Sequence, residues 1–233
     1  MKKFGLIGHP IAHSLSPALF EAGYDRRYPY DLIEEEAFDA AYSRFIDGYD
    51  GINVTAPFKE QAFAKADIVS EECRAIGAAN ILIKTPEGIK AHNSDYLGVR
   101  MWIQEIIGSD SLKTVLIVGA GGAGKAAATA AASLGLKTTI INRTMSKAVE
   151  WAERQGIYKY IIKPVEDFAE EFRSNDIIIY TLPVALPQIS DLDRKEIDEK
   201  AALLEANYKD PVLRENGKLW LLYQAVTGYE IFT

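Results

Sequence analysis

The sequence predicts an α/β protein of two lobes, an N-terminal α/β substrate domain and a Rossmann-type domain built on a parallel sheet. Three observations point there. Short apolar runs alternate with stretches of helical apolar spacing along the chain. One run, Thr114–Val118, passes straight into Gly119-Ala120-Gly121-Gly122-Ala123-Gly124 and then an alanine-rich stretch, giving the strand, turn and helix of a dinucleotide-binding unit. The 233 residues, 48% hydrophobic and 25% charged, suffice for two modest domains of ordinary globular composition.

In chain order, Phe4–Gly8 and residues 30–33, 51–55 and 80–84 are β-prone. Residues 18–27, 37–45 and Glu71–Ile76 carry helical spacing between them. Ile107-Gly108-Ser109-Asp110-Ser111 is a polar break suited to a linker. Beyond it, Thr114–Val118, residues 138–141 and 176–180, and Ala202–Glu205 are nearly continuous apolar runs, as parallel strands covered on both faces require. Residues 123–134 and Met145–Gln155 fit the crossover helices. Residues 96–107 read as a helix joining the domains, and 219–225 as a last helix packing back on the first. The substrate domain is thus expected at 1–98, completed by 218–233, and the second domain at 99–217.

The net charge of −7 disfavours broad binding to nucleic acid or anionic lipid. No run approaches the roughly 18 to 20 apolar residues that cross a bilayer, and the apolar stretch after Met1-Lys2-Lys3 is too short for a secretory signal. One cysteine, Cys73, allows no internal disulfide. Three scattered histidines and that cysteine suggest no transition-metal site. The expectation is a cytoplasmic protein, monomeric or homodimeric, whose partner is a small molecule.

The glycines at 119–124 permit a tight turn and close backbone approach to a pyrophosphate, which the amides and dipole of the following helix attract. Gly119 to Lys125 also satisfies the GxxxxGK core of a P-loop. However, Ala126 stands where that motif needs a magnesium-binding Ser or Thr. An NAD-binding domain carries Asp or Glu about 20 residues after the glycines; here the next strand ends in Asn142-Arg143-Thr144. Arg143, with Thr144 and Lys147, can instead make charge-assisted hydrogen bonds to a 2′-phosphate. NADP is therefore the expected cofactor. Its candidate ligands are Gly119, Gly121, Gly122, Ala123, Gly124, Asn142, Arg143, Thr144 and Lys147.

Before this turn, His13-Ser14-Leu15-Ser16-Pro17 places two hydroxyls at a helix start, with proline at the first helical position. Gly51-Ile52-Asn53-Val54-Thr55-Ala56-Pro57-Phe58-Lys59 is a strand ending in a polar turn with a lysine. Gly77-Ala78-Ala79-Asn80 and His92-Asn93-Ser94-Asp95-Tyr96-Leu97-Gly98 add an amide and a carboxylate at other strand ends. Singly, these are caps or surface decoration. In this order, ahead of a GxGGxG turn and an Asn-Arg-Thr strand end, they closely resemble the shikimate dehydrogenase family over nearly the whole chain. The resemblance extends to Glu205-Ala206-Asn207-Tyr208 and to Gln224.

That resemblance implies NADP-dependent interconversion of 3-dehydroshikimate and shikimate in aromatic amino-acid biosynthesis. It implies that Ser14 and Ser16 hold the substrate carboxylate. Thr55, Asn80, Tyr208 and Gln224 would contact hydroxyls or frame the pocket, and Lys59 and Asp95 would be the catalytic pair. Two segments depart from the family pattern: Phe20-Glu21 replaces a common His-Asn, and Tyr180-Thr181-Leu182-Pro183 replaces a TSxGM-like turn. The other readings are a paralogue acting on a related cyclic polyol acid such as quinate, and a non-catalytic NADP-binding sensor. Retention of both Lys59 and Asp95 argues against the sensor.

Overall fold

The computed structural model describes residues 1–108, 114–156 and 159–233. The expected linker residues Ser109-Asp110-Ser111 lie outside them. The chain gathers into two compact units, residues 1–94 with 224–233, and residues 95–223.

In the first unit, six strands form one sheet: β1 (Phe4–Gly8), β2 (Tyr30–Glu34), β3 (Gly51–Val54), β4 (Ile68–Val69), β5 (Ile81–Thr85) and β6 (Gly88–His92). Their order is β2-β1-β3-β5-β6-β4. β1 runs parallel to both β2 and β3, whereas β5 lies antiparallel to β3 and to β6, so this sheet is mixed. The helices are α1 (Ser16–Gly23), α2 (Phe38–Gly48), α3 (Lys59–Lys65) and α4 (Glu71–Ile76). α1 stops short of residue 27 because Asp25 and Arg26 adopt φ of 50° and 58°, the left-handed region that a right-handed helix cannot continue through. Alternation along the strands feeds both faces. Ile7, Ile52 and Leu82 pack with Phe45 and Phe58 on one face, and Phe4 and Ile81 with Phe20 and Phe232 on the other.

The second unit opens with α5 (Ser94–Ile107), whose residues from Asp95 belong to it. There follow β7 (Thr114–Val118), α6 (Gly122–Ser133), β8 (Lys137–Ile141), α7 (Met145–Gln155), β9 (Tyr160–Lys163), α8 (Phe168–Ser174), β10 (Ile177–Tyr180), α9 (Arg194–Glu199) and β11 (Ala202–Glu205). The last helix, α10 (Gly217–Phe232), contributes its residues to Tyr223 here and the rest to the first unit. The five strands are all parallel in the order β11-β10-β7-β8-β9. The chain thus starts in the middle at β7, winds out through β8 and β9, then crosses to the other side at β10. Ligands of open α/β sheets lie beyond the carboxyl ends of the strands at such a reversal, which here means at Gly119 and Thr181. Leu116, Ile117, Val118, Ile178 and Ile179 are fully buried, as strands covered on both faces must be. Buried Ala126, Ala127, Ala130 and Ala131 give α6 a small-residue surface that allows close approach to the sheet. Among the described residues, no helix is long and apolar enough to cross a membrane.

Candidate active site

In the first unit the site is assembled from strand ends. A Cβ on Gly8 would fall 2.4 Å from Thr55 Cγ2 and 2.7 Å from Ile11 Cγ2, so only glycine lets the loop after β1 close on the turn after β3. In that loop Ser14 Oγ donates to Ser16 Oγ at 3.1 Å and accepts from the Ser16 amide at 3.2 Å. Pro17 occupies the first turn of α1. Tyr30 ties this pair to β3: its hydroxyl donates to Asn53 Oδ1 at 2.8 Å. Burial and the nearby Tyr229 phenol push the Tyr30 hydroxyl well above its usual pKa, against the opposing pull of a hydrogen bond with Ser16.

The turn after β3 is closed by backbone bonds. The Thr55 amide donates to Ile7 O at 3.0 Å, and Thr55 O accepts from the Phe58 amide at 3.0 Å. Buried Phe58 anchors it. Lys59 follows as the first residue of α3, and its carbonyl accepts from the Ala79 amide at 2.9 Å, which ties the lysine's backbone to the residue before Asn80. Asn80 is buried. Its Oδ1 accepts from the Ser94 amide at 2.7 Å, its Nδ2 donates to Ser94 Oγ at 3.1 Å, and Ser94 Oγ donates to Gln224 Oε1 at 3.1 Å. A Cβ on Gly228 would meet Ser94 Oγ at 3.1 Å, so that glycine eases the approach of α10. Asn80 and Gln224 therefore meet through Ser94. Ser14 and Ser16 form a separate pair that reaches β3 through Tyr30 and Asn53. The sequence reading assigned no role to Ser94, Asn53 or Tyr30. The first two stand inside the quoted motifs, but nothing local marks Tyr30.

In the second unit, Asp95 lies in the first turn of α5, where the helix dipole favours a carboxylate. It is buried, and its Oδ1 accepts from Trp220 Nε1 at 3.1 Å. The glycines of the following turn have separable causes. Gly119 has φ of 105°, which disfavours any side chain. A Cβ on Gly124 would lie 2.0 Å from Gly119 O, a backbone clash. Gly121 is different: its φ is −78°, and among the described residues no atom beyond its own chain neighbours lies within 4 Å of the place a Cβ would take. The fold does not need glycine there, but a pyrophosphate brought against the backbone does. Gly122 and Ala123 begin α6, so their amides are among the first-turn donors without intrahelical partners. Asn142 braces the turn, accepting from the Ala120 amide at 3.2 Å and donating to Thr144 O at 2.9 Å. Arg143, Thr144 and Lys147 are exposed beside it. These residues fit a dinucleotide carrying an additional phosphate.

Two loops complete this end of the unit. Tyr208 follows β11, whose last residue, Glu205, is fully buried. Its carboxylate accepts from the amides of Val212, Leu213 and Arg214 at 2.6, 2.8 and 3.0 Å, fixing the returning arm of the Tyr208 loop. At the unusual turn after β10, the Tyr180 hydroxyl donates to Val184 O at 2.7 Å and accepts from the Leu186 amide at 3.1 Å, so this buried ring organises the loop from below. Burial, with a smaller push from Glu205, raises its phenol to about 12. The other departure, Phe20, is core: it is fully buried and contacts Phe4, Tyr24, Tyr30, Tyr229 and Phe232. Glu21 beside it is exposed.

Residues 6–82 match the shikimate dehydrogenase substrate binding domain, and residues 102–203 match the shikimate/quinate 5-dehydrogenase family. The chain is 31% identical to the NADP(+) shikimate dehydrogenase of Halorubrum lacusprofundi, with 100% of this chain and 93% of that protein covered. It is 33% identical to the enzyme of that name from Natronomonas pharaonis, covering 100% and 94%. Among solved structures, shikimate 5-dehydrogenase from Thermus thermophilus, in complex with NADP(H) and shikimate, is similar at a TM-score of 0.78 and 26% identity, covering 100% and 94%. With two family models matching residues 6–82 and 102–203, and with a relative 31% identical over 100% of this chain and 93% of its own length, the chain belongs to the shikimate dehydrogenase family.

Proposed function

We propose that the protein is an NADP-dependent shikimate dehydrogenase that interconverts 3-dehydroshikimate and shikimate. The observation that carries this reading is the Asn80–Ser94–Gln224 relay, buried at Asn80 and Ser94, which joins polar residues from three of the family's motif segments, two of them 130 residues apart. The first unit with the end of α10 is the substrate domain, and the parallel-sheet unit holds NADP through Gly119, Gly121, Gly122, Ala123 and Gly124 at the pyrophosphate. Asn142, Arg143, Thr144 and Lys147 serve the 2′-phosphate end. When bound, NADP(H) supplies or accepts the hydride at the carbon that alternates between carbonyl and alcohol.

The chain's own residues supply the rest. Ser14 and Ser16 hold the substrate carboxylate, and Thr55, Asn80, Tyr208 and Gln224 contact hydroxyls or frame the pocket. As the carbonyl oxygen becomes a hydroxyl it gains one proton, and Lys59 and Asp95 jointly carry that transfer. The Lys59 ammonium stabilises the developing negative charge on oxygen, and the Asp95 carboxylate orients the substrate hydroxyl. The single cysteine fits a cytoplasmic enzyme, and the −7 charge fits one without nucleic-acid or anionic-membrane partners; its working form in this reading is a monomer or homodimer.

The test is oxidation of shikimate followed by the absorbance of reduced nicotinamide, with NADP+ and NAD+ compared and quinate as rival substrate. Turnover on shikimate with preference for NADP+ is expected, and Arg143→Ala should reduce that preference about tenfold to a hundredfold. Faster turnover of quinate, or NADP+ binding without turnover of either acid, would overturn the reading.

A further inference from the structure

The buried hydrogen bond between Trp220 and Asp95 joins residues 125 positions apart, and the motif comparison gives neither its existence nor its purpose. An indole N–H can only donate, and once buried it needs an acceptor; a buried carboxylate needs donors. Trp220 and Asp95 meet both needs in one contact, at 6% and 4% exposure. The indole is not a mobile donor. It packs in the same apolar core as Val99, Trp102 and Ile103 of α5, the helix that carries Asp95. A second tie between α10 and α5 runs from the Tyr223 hydroxyl to Glu105 Oε2.

We infer that Trp220 is a positioning residue for the reaction: its N–H holds one oxygen of the Asp95 carboxylate in the orientation that proton transfer requires. The proposal rests on the assignment of Asp95 made above. It goes further by assigning Trp220 of α10 an indirect part in the reaction, exerted through the Asp95 carboxylate. Loss of a donor to a carboxylate should show in turnover rather than in binding, because the carboxylate remains present but less well held.

The experiment is a double-mutant cycle of Trp220→Phe, which keeps an aromatic ring and removes the donor, with Asp95→Ala. Trp102→Phe serves as a packing control in the same core, and thermal unfolding confirms folding of each variant. Trp220→Phe is expected to lower kcat about tenfold in the otherwise native enzyme, with KM for shikimate and for NADP+ within about twofold. In the Asp95→Ala background it should change kcat less than about twofold, since no carboxylate is left to hold. The control should keep kcat within about twofold. Equal losses in the two backgrounds, a matching loss in Trp102→Phe, or native kcat in Trp220→Phe would overturn the inference. Full turnover in Asp95→Ala alone would remove the assignment beneath it, an outcome distinct from the others because it appears before Trp220 is touched.

Discussion

The glycine turn of the second unit and the polar strand ends of the first are built on opposite plans. The turn is contiguous: six residues whose causes divide between positive φ at Gly119, a backbone clash at Gly124 and open space at Gly121. The polar set of the first unit is scattered over Ser14, Ser16, Thr55, Lys59 and Asn80 near strand ends and Gln224 on α10. Its members become a group only through bonds such as Asn80 to Ser94 and Tyr30 to Asn53. A contiguous site is written by local backbone chemistry, whereas a dispersed one is written by the fold.

The largest expected effect separates the two plans by function. Lys59→Ala and Asp95→Ala should each lower kcat by about 10² to 10⁴, while the NADP+ dissociation constant, read by fluorescence titration, stays within about twofold. Turnover near the native rate in either variant would remove that residue from the chemistry. The next effect divides the turn itself. Gly124→Ala, facing Gly119 O, should destabilise the protein by about 3 kcal/mol in urea unfolding. Gly121→Ala should leave stability within about 0.5 kcal/mol and weaken NADP+ about tenfold or more. Equal behaviour of the two alanines would erase the distinction drawn between them.

The smallest effect probes the strand ends through pH. His92 Nδ1 lies 3.5 Å from Glu72 Oε1. Burial alone would raise the Glu72 carboxyl, but hydrogen bonds from His92 and the backbone outweigh it and hold the group below the usual glutamate range. A depressed folded value means that the ionised carboxylate stabilises the fold above the unfolded pKa, and that this contribution fades as pH falls through the folded one. Glu72→Gln should therefore cost under about 1 kcal/mol near neutrality, with the difference from native closing in acid. A difference unchanged between neutral and acidic unfolding curves would show that the charge is irrelevant.

Much of the second unit was legible from residues alone, because fully buried parallel strands read as apolar runs and the turn sits directly after one of them. β9 was not, since Tyr160–Lys163 is an edge strand bounded by lysines, with too little apolar run to stand out. In the first unit, β6 escaped for a similar reason: Gly88–His92 mixes glycine, lysine and histidine, and its identity comes from pairing with β5. α3 escaped because it is seven residues long, with no side-chain cap to announce it, and so Lys59 read as the end of a turn rather than the start of a helix. The roles offered for the strand-end residues came from family resemblance. Isolated serines, an asparagine and a lysine carry no local signal, and Ser94, the residue that links Asn80 to Gln224, is recognisable only once the chain is folded.

Phe232 packs its ring tilted against Phe4 and edge-on to Phe20, at ring separations of 4.9 and 6.1 Å, and this has a bearing on biosynthesis. A ribosome working from residue 1 delivers every residue of the parallel-sheet unit before it delivers Phe232. The older stretch, residues 1–94, therefore lacks one member of that aromatic cluster until the last residues of the chain are made. The first unit to be started in translation is thus the last to receive all of its residues.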